Sequence, residues 1–259
     1  MRMSAQVVSL WMAAVFGVIL LAAFLLFPGF FPPMPPDMTA QQVAGFYARH
    51  QAMIRLSMVT VNFCGIMLTP FFMVIVYQMK RMATPTQVLA YAYLSAAVSG
   101  ATLIALADLF WLVAAFRPER DPQLTQLLND LAWITFTMPV GMIIAQMACL
   151  ALAIRLDDQP RPVFPRWVAT FNIAVAVAVA PSAFAAVFHT GPLAWNGAVS
   201  FWLRACAYGL YVAVMFVVVR GAVRRQEHDE RERADGSAAP GTGVEGIGLR
   251  GIGVEGTAP

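Results

Sequence analysis

Charge is what this sequence has least of. Only 12% of its 259 residues are charged and 59% are hydrophobic, whereas a soluble domain is about a quarter charged. That balance excludes an ordinary water-soluble globule, and it makes lipid the solvent for most of the chain. Lysine is nearly missing: Lys80 stands against sixteen arginines, a bias of GC-rich bacterial genomes. The net charge of +3 is too small and too scattered for a nucleic-acid surface, so no nucleic acid is expected as a partner. The three cysteines, Cys64, Cys149 and Cys206, lie inside apolar runs and form no CxxC pair, which argues against a disulfide framework or a zinc site. Of the three histidines, His50 and His189 fall at or beyond helix ends and His228 lies near the C-terminus, so no pair faces inward to hold a b-type haem. Neither a metal nor any other cofactor is expected.

Long apolar runs are what the sequence does have. Six of them, at about 8–28, 54–77, 88–116, 131–154, 168–188 and 198–220, each reach the roughly 20 residues that cross a hydrocarbon core. The first follows MRMSAQ but is too long for a secretory h-region of about 7–15 residues and lacks a small-residue cleavage site, so it reads as a retained helix. Arg2, Lys80, Arg81, Arg155, Arg161, Arg166, Arg220, Arg224 and Arg225 mark one set of loops and ends, and basic residues collect on the cytoplasmic side. The fold expected is all-α, a polytopic transmembrane bundle of six helices over residues 1–222 with N- and C-termini cytoplasmic. A disordered cytoplasmic tail is expected over 223–259, where a charged run gives way to GVEG units. The location expected is the bacterial cytoplasmic (inner) membrane.

Between the first two runs, PGFFPPMPPDMT contains five prolines and predicts an extended, polyproline-like exit from the membrane. Asp37 or Thr39 then caps a helix that starts outside and continues inward. Asp121 followed by Pro122 is a second N-cap and N1 pair. Pro70 and Pro181 interrupt the middle helices of the two halves, each preceded by an asparagine, Asn62 or Asn172, an arrangement that points to inverted repeats. Pro139 kinks the fourth helix as well.

The informative residues are those lipid rejects. Asp108 lies eight residues from the end of its run at Phe116, about 12 Å deep, where a charge costs roughly 2.5–3.5 kcal/mol. Ala97, Ala101 and Ala105 recur every four residues and predict a small-residue stripe leading to it. Arg55 and Asn62 share a face of the second helix, Asp130 lies in the fourth, and Arg204 and Tyr208 lie in the sixth. His189, Trp195 and Asn196 come from the loop before it. Placed at similar depths, Arg55, Asn62, Asp108, Asp130, His189, Asn196, Arg204 and Tyr208 predict a polar cavity open to the periplasmic side. Such a cavity would take a small lipophilic or amphiphilic molecule, the protein serving as an accessory or transport component. Two alternatives use the same residues. In one, an intramembrane enzyme uses Asp108 as acid or base, with Arg204 and Arg55 holding the substrate. In the other, the protein is a structural subunit of a membrane complex, with Asp108 paired to Arg204 and Asp130 to Arg55 as latches. The tryptophans sit near helix ends, where an aromatic belt is expected.

The strings FYARHQAMIRL, FWLVAAFRPERDPQLTQLLNDLAW, PVFPRWVATFN and FHTGPLAWNG are similar to an uncharacterised family of bacterial six-helix integral membrane proteins. The resemblance spans residues from about 30 to 225. It implies the same bundle in a lipid bilayer and no particular activity. Small membrane-embedded terpene cyclases share the size and use intramembrane acids, but a paired-acid mechanism here lacks a second carboxylate unless Asp130 serves.

Overall fold

In lipid a spanning segment must bond its own backbone groups, which selects helices. The computed structural model describes residues 4–238, with side chains as far as residue 235, and its regular elements there are all helical. They are α1 (Ala5–Leu26), α2 (Ala40–Gly65), α3 (Thr69–Met79), α4 (Val88–Phe116), α5 (Pro122–Thr137), α6 (Gly141–Arg155), α7 (Trp167–Val179) and α8 (Arg204–Ala238). Joined end to end they make six helices long and apolar enough to span a membrane. The chain is a multi-pass membrane protein. Its lipid-facing surface agrees: Val18, Phe63, Val177 and Val217 are each more than two-thirds exposed, tolerable only where the solvent is apolar.

Proline breaks each of the doubled spans. A 3₁₀ turn at Ile66–Leu68 precedes Pro70, Pro139 separates α5 from α6, and Pro181 sits in a second 3₁₀ turn at Ala180–Phe184 that ends the fifth span. The sixth opens with a π-helical turn, Ala198–Leu203. In each proline case the missing N–H leaves a carbonyl one turn earlier without its helical donor.

Local rules account for the helix starts. Thr39 caps α2 in a reciprocal box with Gln42, each side chain taking the other's backbone N–H. Asp121 caps α5 by accepting from the Gln123 N–H at 2.8 Å, with Pro122 at the first helical position. Both extensions begin well before the apolar run, as the sequence predicts.

The proline-rich segment departs from expectation. It does not leave the bundle extended; it folds back through consecutive turns over residues 27–33, helped by Gly29 at φ 79°, a conformation glycine adopts without strain. The reason is hydrophobic. Phe27, Phe30 and Met34 are all nearly fully buried in a core with Ile54, Met58, Trp111, Trp133 and Phe201, and burying each is worth about 1.5–3 kcal/mol. The Trp195 indole N–H donates to the Met34 carbonyl at 2.8 Å and the Gln126 amide to the Met38 carbonyl at 2.9 Å. The segment is a plug on this end of the bundle. Gly197 serves the same closure, since a Cβ there would collide with the Pro192 carbonyl.

At the opposite, basic end, buried Asp157 ties two loops together. It accepts from the amides of Ala83 and Val163, each at 3.0 Å, while the Gln159 side chain donates to the Arg81 carbonyl. A second core fills the space above, built from α3, α4, α6, α7 and α8 around Ile75, Tyr93, Met147, Leu150 and Met215.

The chain divides into two compact units, residues up to Val223 and residues from Arg224. In the second, the disorder expected from residue 223 is not what the structure shows as far as it is described, because helix continues to Ala238. Good helix formers and bonds one turn apart explain this: Gln226 donates to Glu230 at 2.8 Å and His228 lies 3.6 Å from Glu232. The glycine-rich residues 239–259 lie outside the described residues.

Candidate functional site

α4 is the central helix, packed against α2, α3, α5 and α6. Its buried face runs Ala107, Asp108, Trp111, Ala114, Ala115. Of the alanine stripe expected to lead to Asp108, Ala97 is buried and Ala105 is exposed, so it does not run packed as far as Asp108, although Asp108 itself does point inward and is fully buried.

The arginines are not where charge pairing would put them. The Arg55 Nε donates to the Ala115 carbonyl at 3.1 Å and its Nη2 to the Phe116 carbonyl at 2.5 Å. Gln51 also reaches the Ala115 carbonyl, and Arg120 takes the Val113 carbonyl. A helix ends with four carbonyls that lack helical donors, and in apolar surroundings side chains must supply them. Arg55 is therefore a C-terminal cap of α4, with its guanidinium 5.8 Å from the Phe116 ring centroid.

Arg204 performs the same service inside the membrane. Within a regular helix the Phe136 carbonyl would accept from the Val140 N–H, but the Pro139 break diverts that amide to the Met138 carbonyl at 2.8 Å. Arg204 Nη2 donates to the Phe136 carbonyl instead, at 2.7 Å, and the guanidinium lies 4.9 Å from the Phe136 ring centroid. A cation on α8 thus closes the gap a proline opens in α5. The latches expected between Asp108 and Arg204 and between Asp130 and Arg55 do not form, because backbone carbonyls compete for the same donors and win by proximity.

Asp130 is half-buried beside Asn129, whose amide approaches it at 3.4 Å, and within electrostatic reach of exposed His189. Asn129 in turn accepts from the Tyr47 hydroxyl at 3.0 Å. This group holds α2 to α5 and does not meet Asp108. Asn196 is half-buried in the loop before the π turn. Tyr208 lies one turn below Arg204, its ring 5.7 Å from that of Tyr211, whose hydroxyl is 2.8 Å from that of Tyr93. The predicted site residues therefore do not form one cavity. They separate into a capped rim, an interhelical clamp, a tyrosine pair and one layer around Asp108.

That layer is the candidate site. The exposed Asn62 of α2 donates Nδ2 to Asp108 Oδ2 at 3.1 Å, while Asp108 Oδ1 is buried without a partner. One turn toward the plugged end, Trp111 on α4 meets Trp133 on α5, ring centroids 5.1 Å apart at 78°. Stepping one turn inward on each of these antiparallel helices reaches Asp108 on one and Thr137 on the other. The Arg204 contact to Phe136 lies at the same level. Trp111 Nε1, Trp133 Nε1, Thr137 Oγ1 and Arg204 Nε are all buried without a hydrogen-bond partner. Their edge-to-face packing offers an indole N–H at most an aromatic face in place of an oxygen. Each such group costs about 1–3 kcal/mol, and natural interiors contain few. Asp108 and Thr137 at one level, with the two indole N–H groups one turn above, make this a candidate binding layer.

The sequence overlooks part of this set. Trp111, Trp133 and Trp195 are 1%, 0% and 4% exposed and belong to the core, not to an interfacial belt. The signal available was helical spacing: Trp111 falls three residues after Asp108, and Trp133 four before Thr137. Phe30 seals the layer from the plugged end, with ring centroids 5.4 Å from Trp133, 5.4 Å from Phe136 and 5.8 Å from Trp111. An opening to the water on that side is thus replaced by packed aromatics. Asn62, by contrast, lies among the exposed apolar side chains Val59, Phe63 and Ile66.

Among the described residues, the one grouping of metal-type ligands is His228, Asp229 and Glu232, all exposed on one helix. No protein-family model, curated protein or solved structure matches the chain.

Proposed function

We propose that this is a bacterial inner-membrane protein, both termini cytoplasmic, that binds a small lipophilic or amphiphilic molecule at the Asp108 layer as an accessory or transport component. The single observation that carries the reading is a fully buried carboxyl group with, among the described residues, no cation beside it and one oxygen unpartnered, at the level of a buried hydroxyl and one turn from two buried indole N–H groups that are also unpartnered. The one interhelical bond to Asn62 is a small return for a scaffold, because an apolar residue there would remove the desolvation cost. A ligand that bonds to it gives the group a purpose.

The orientation rests on Lys80, Arg81, Arg155, Arg161 and Arg166, which the Asp157 and Gln159 contacts gather at one end. Membership in the bacterial family that the four strings resemble belongs to the same reading. The enzyme alternative is weaker, since Arg55 and Arg204 donate to carbonyls and are not available to grip an anionic substrate. A structural role fits those two arginines, but not Asp108.

The experiment is extraction and mass spectrometry of what copurifies with the detergent-solubilised protein. We expect a stoichiometric apolar or amphiphilic molecule with wild type that is absent from Asp108→Leu of equal fold and yield. The same molecule in equal amount from both would overturn the reading.

A further inference from the structure

The same layer restricts what the ligand is and how it arrives, an inference that rests on the proposed binding function. Three observations act together. The water-facing route is closed by Phe27, Phe30 and Met34. The side route is not: Asn62, the one hydrogen-bonding neighbour of Asp108, is exposed on the lipid face of α2, with Val59, Phe63 and Ile66 beside it. On α4, Leu106 and Leu109 flank Asp108 in sequence and are also exposed. A molecule reaching Asp108 thus comes through the bilayer, between α2 and α4, past the Asn62 amide.

The polar groups then select the head. Asp108 Oδ1 lacks a partner and serves as acceptor when ionised or as donor when protonated, Trp111 Nε1 and Trp133 Nε1 need acceptors, and Thr137 Oγ1 can serve as either. A hydroxyl group can donate to one such neighbour and accept from another. An ionised phosphate fits worse, because it accepts but does not donate and would have to lose its hydration about 12 Å from the end of α4.

We infer that the site takes a membrane lipid whose polar head is a neutral hydroxyl, entering sideways between α2 and α4. An acylglycerol and an isoprenoid alcohol share this chemistry.

The test is native mass spectrometry of the full chain in detergent, titrated separately with dioleoylglycerol, geranylgeraniol and dioleoylphosphatidylcholine, whose phosphate head carries no hydroxyl. We expect retention of one or both hydroxyl lipids, the pattern telling acylglycerol from isoprenoid. Retention should be lost in Asp108→Leu and weakened about tenfold in Asn62→Leu, equivalent to about 1.4 kcal/mol. Circular dichroism and monodispersity establish that both variants fold; if Asp108→Leu does not, Asn62→Leu and Thr137→Val carry the test. Asp108-dependent retention of the phosphatidylcholine alone would overturn the inference and leave the binding function standing. Retention of every lipid alike, unaffected by Asp108→Leu, Asn62→Leu and Thr137→Val, would assign them to the annular belt and overturn the inference. Retention of none of the three, with no copurifying molecule either, would overturn the binding function itself.

Discussion

The C-terminal rim of α4 and the layer about two turns beneath it both hold several polar side chains and treat them in opposite ways. At the rim, Gln51, Arg55 and Arg120 all donate to carbonyls that the helix end leaves bare. In the layer, Asp108 has a single bond to Asn62, and Trp111, Trp133 and Thr137 have buried polar atoms with none. Buried polarity alone therefore does not mark a site. Polarity that local backbone demand explains is structural, and polarity that nothing explains is the candidate for function.

The comparison is most exposed at Arg204, which sits at the level of the layer but acts like the rim. Arg204→Leu should cost about 3 kcal/mol, combining an orphaned Phe136 carbonyl with a lost cation–π contact. Thermal unfolding in detergent measures it. In a Pro139→Ala background the Val140 amide can return to the Phe136 carbonyl, and the cost of Arg204→Leu should fall to about 1 kcal/mol. An undiminished cost would show that Arg204 has a task other than mending α5.

Arg55→Ala should cost less, about 1–2 kcal/mol, because Gln51 still serves the Ala115 carbonyl and only that of Phe116 loses its partner. Ligand retention should be unchanged. A retention defect without a stability defect would move Arg55 from the rim into the site. The smallest effect belongs to Thr137→Val, which removes an unpartnered hydroxyl at nearly constant volume. Stability should stay within about 1 kcal/mol of wild type, on the favourable side, while retention of the hydroxyl lipid falls. A clear loss of stability would mean that the hydroxyl is partnered after all.

The parts of the fold governed by local chemistry were legible in the sequence. Six apolar runs became six spans, and Thr39 and Asp121 cap where their side-chain oxygens and the following residues predict. What was not legible depends on backbone groups and long-range contacts. Charges in a sequence look for opposite charges, so Arg204 was matched with Asp108; the Phe136 carbonyl it actually serves appears only once Pro139 has redirected the Val140 amide. That competitor could have been suspected from the proline. The plug was hidden for another reason: PGFFPPMPPD rules out helix but does not say whether Phe27, Phe30 and Met34 find a hydrophobic pocket, and the pocket is made by α4 and α5. In the tail, composition outweighed the helix-forming run RRQEHDERERAD, whose bonds one turn apart extend α8.

Asp108 carries the central claim, and its own stability effect tests it most directly. If the carboxyl is kept for a ligand, the empty protein bears its desolvation cost, and Asp108→Leu should match or exceed wild type in thermal midpoint while losing the bound molecule. If Asp108→Leu unfolds several degrees below wild type and the bound molecule stays, the carboxyl is a structural element and the account is wrong.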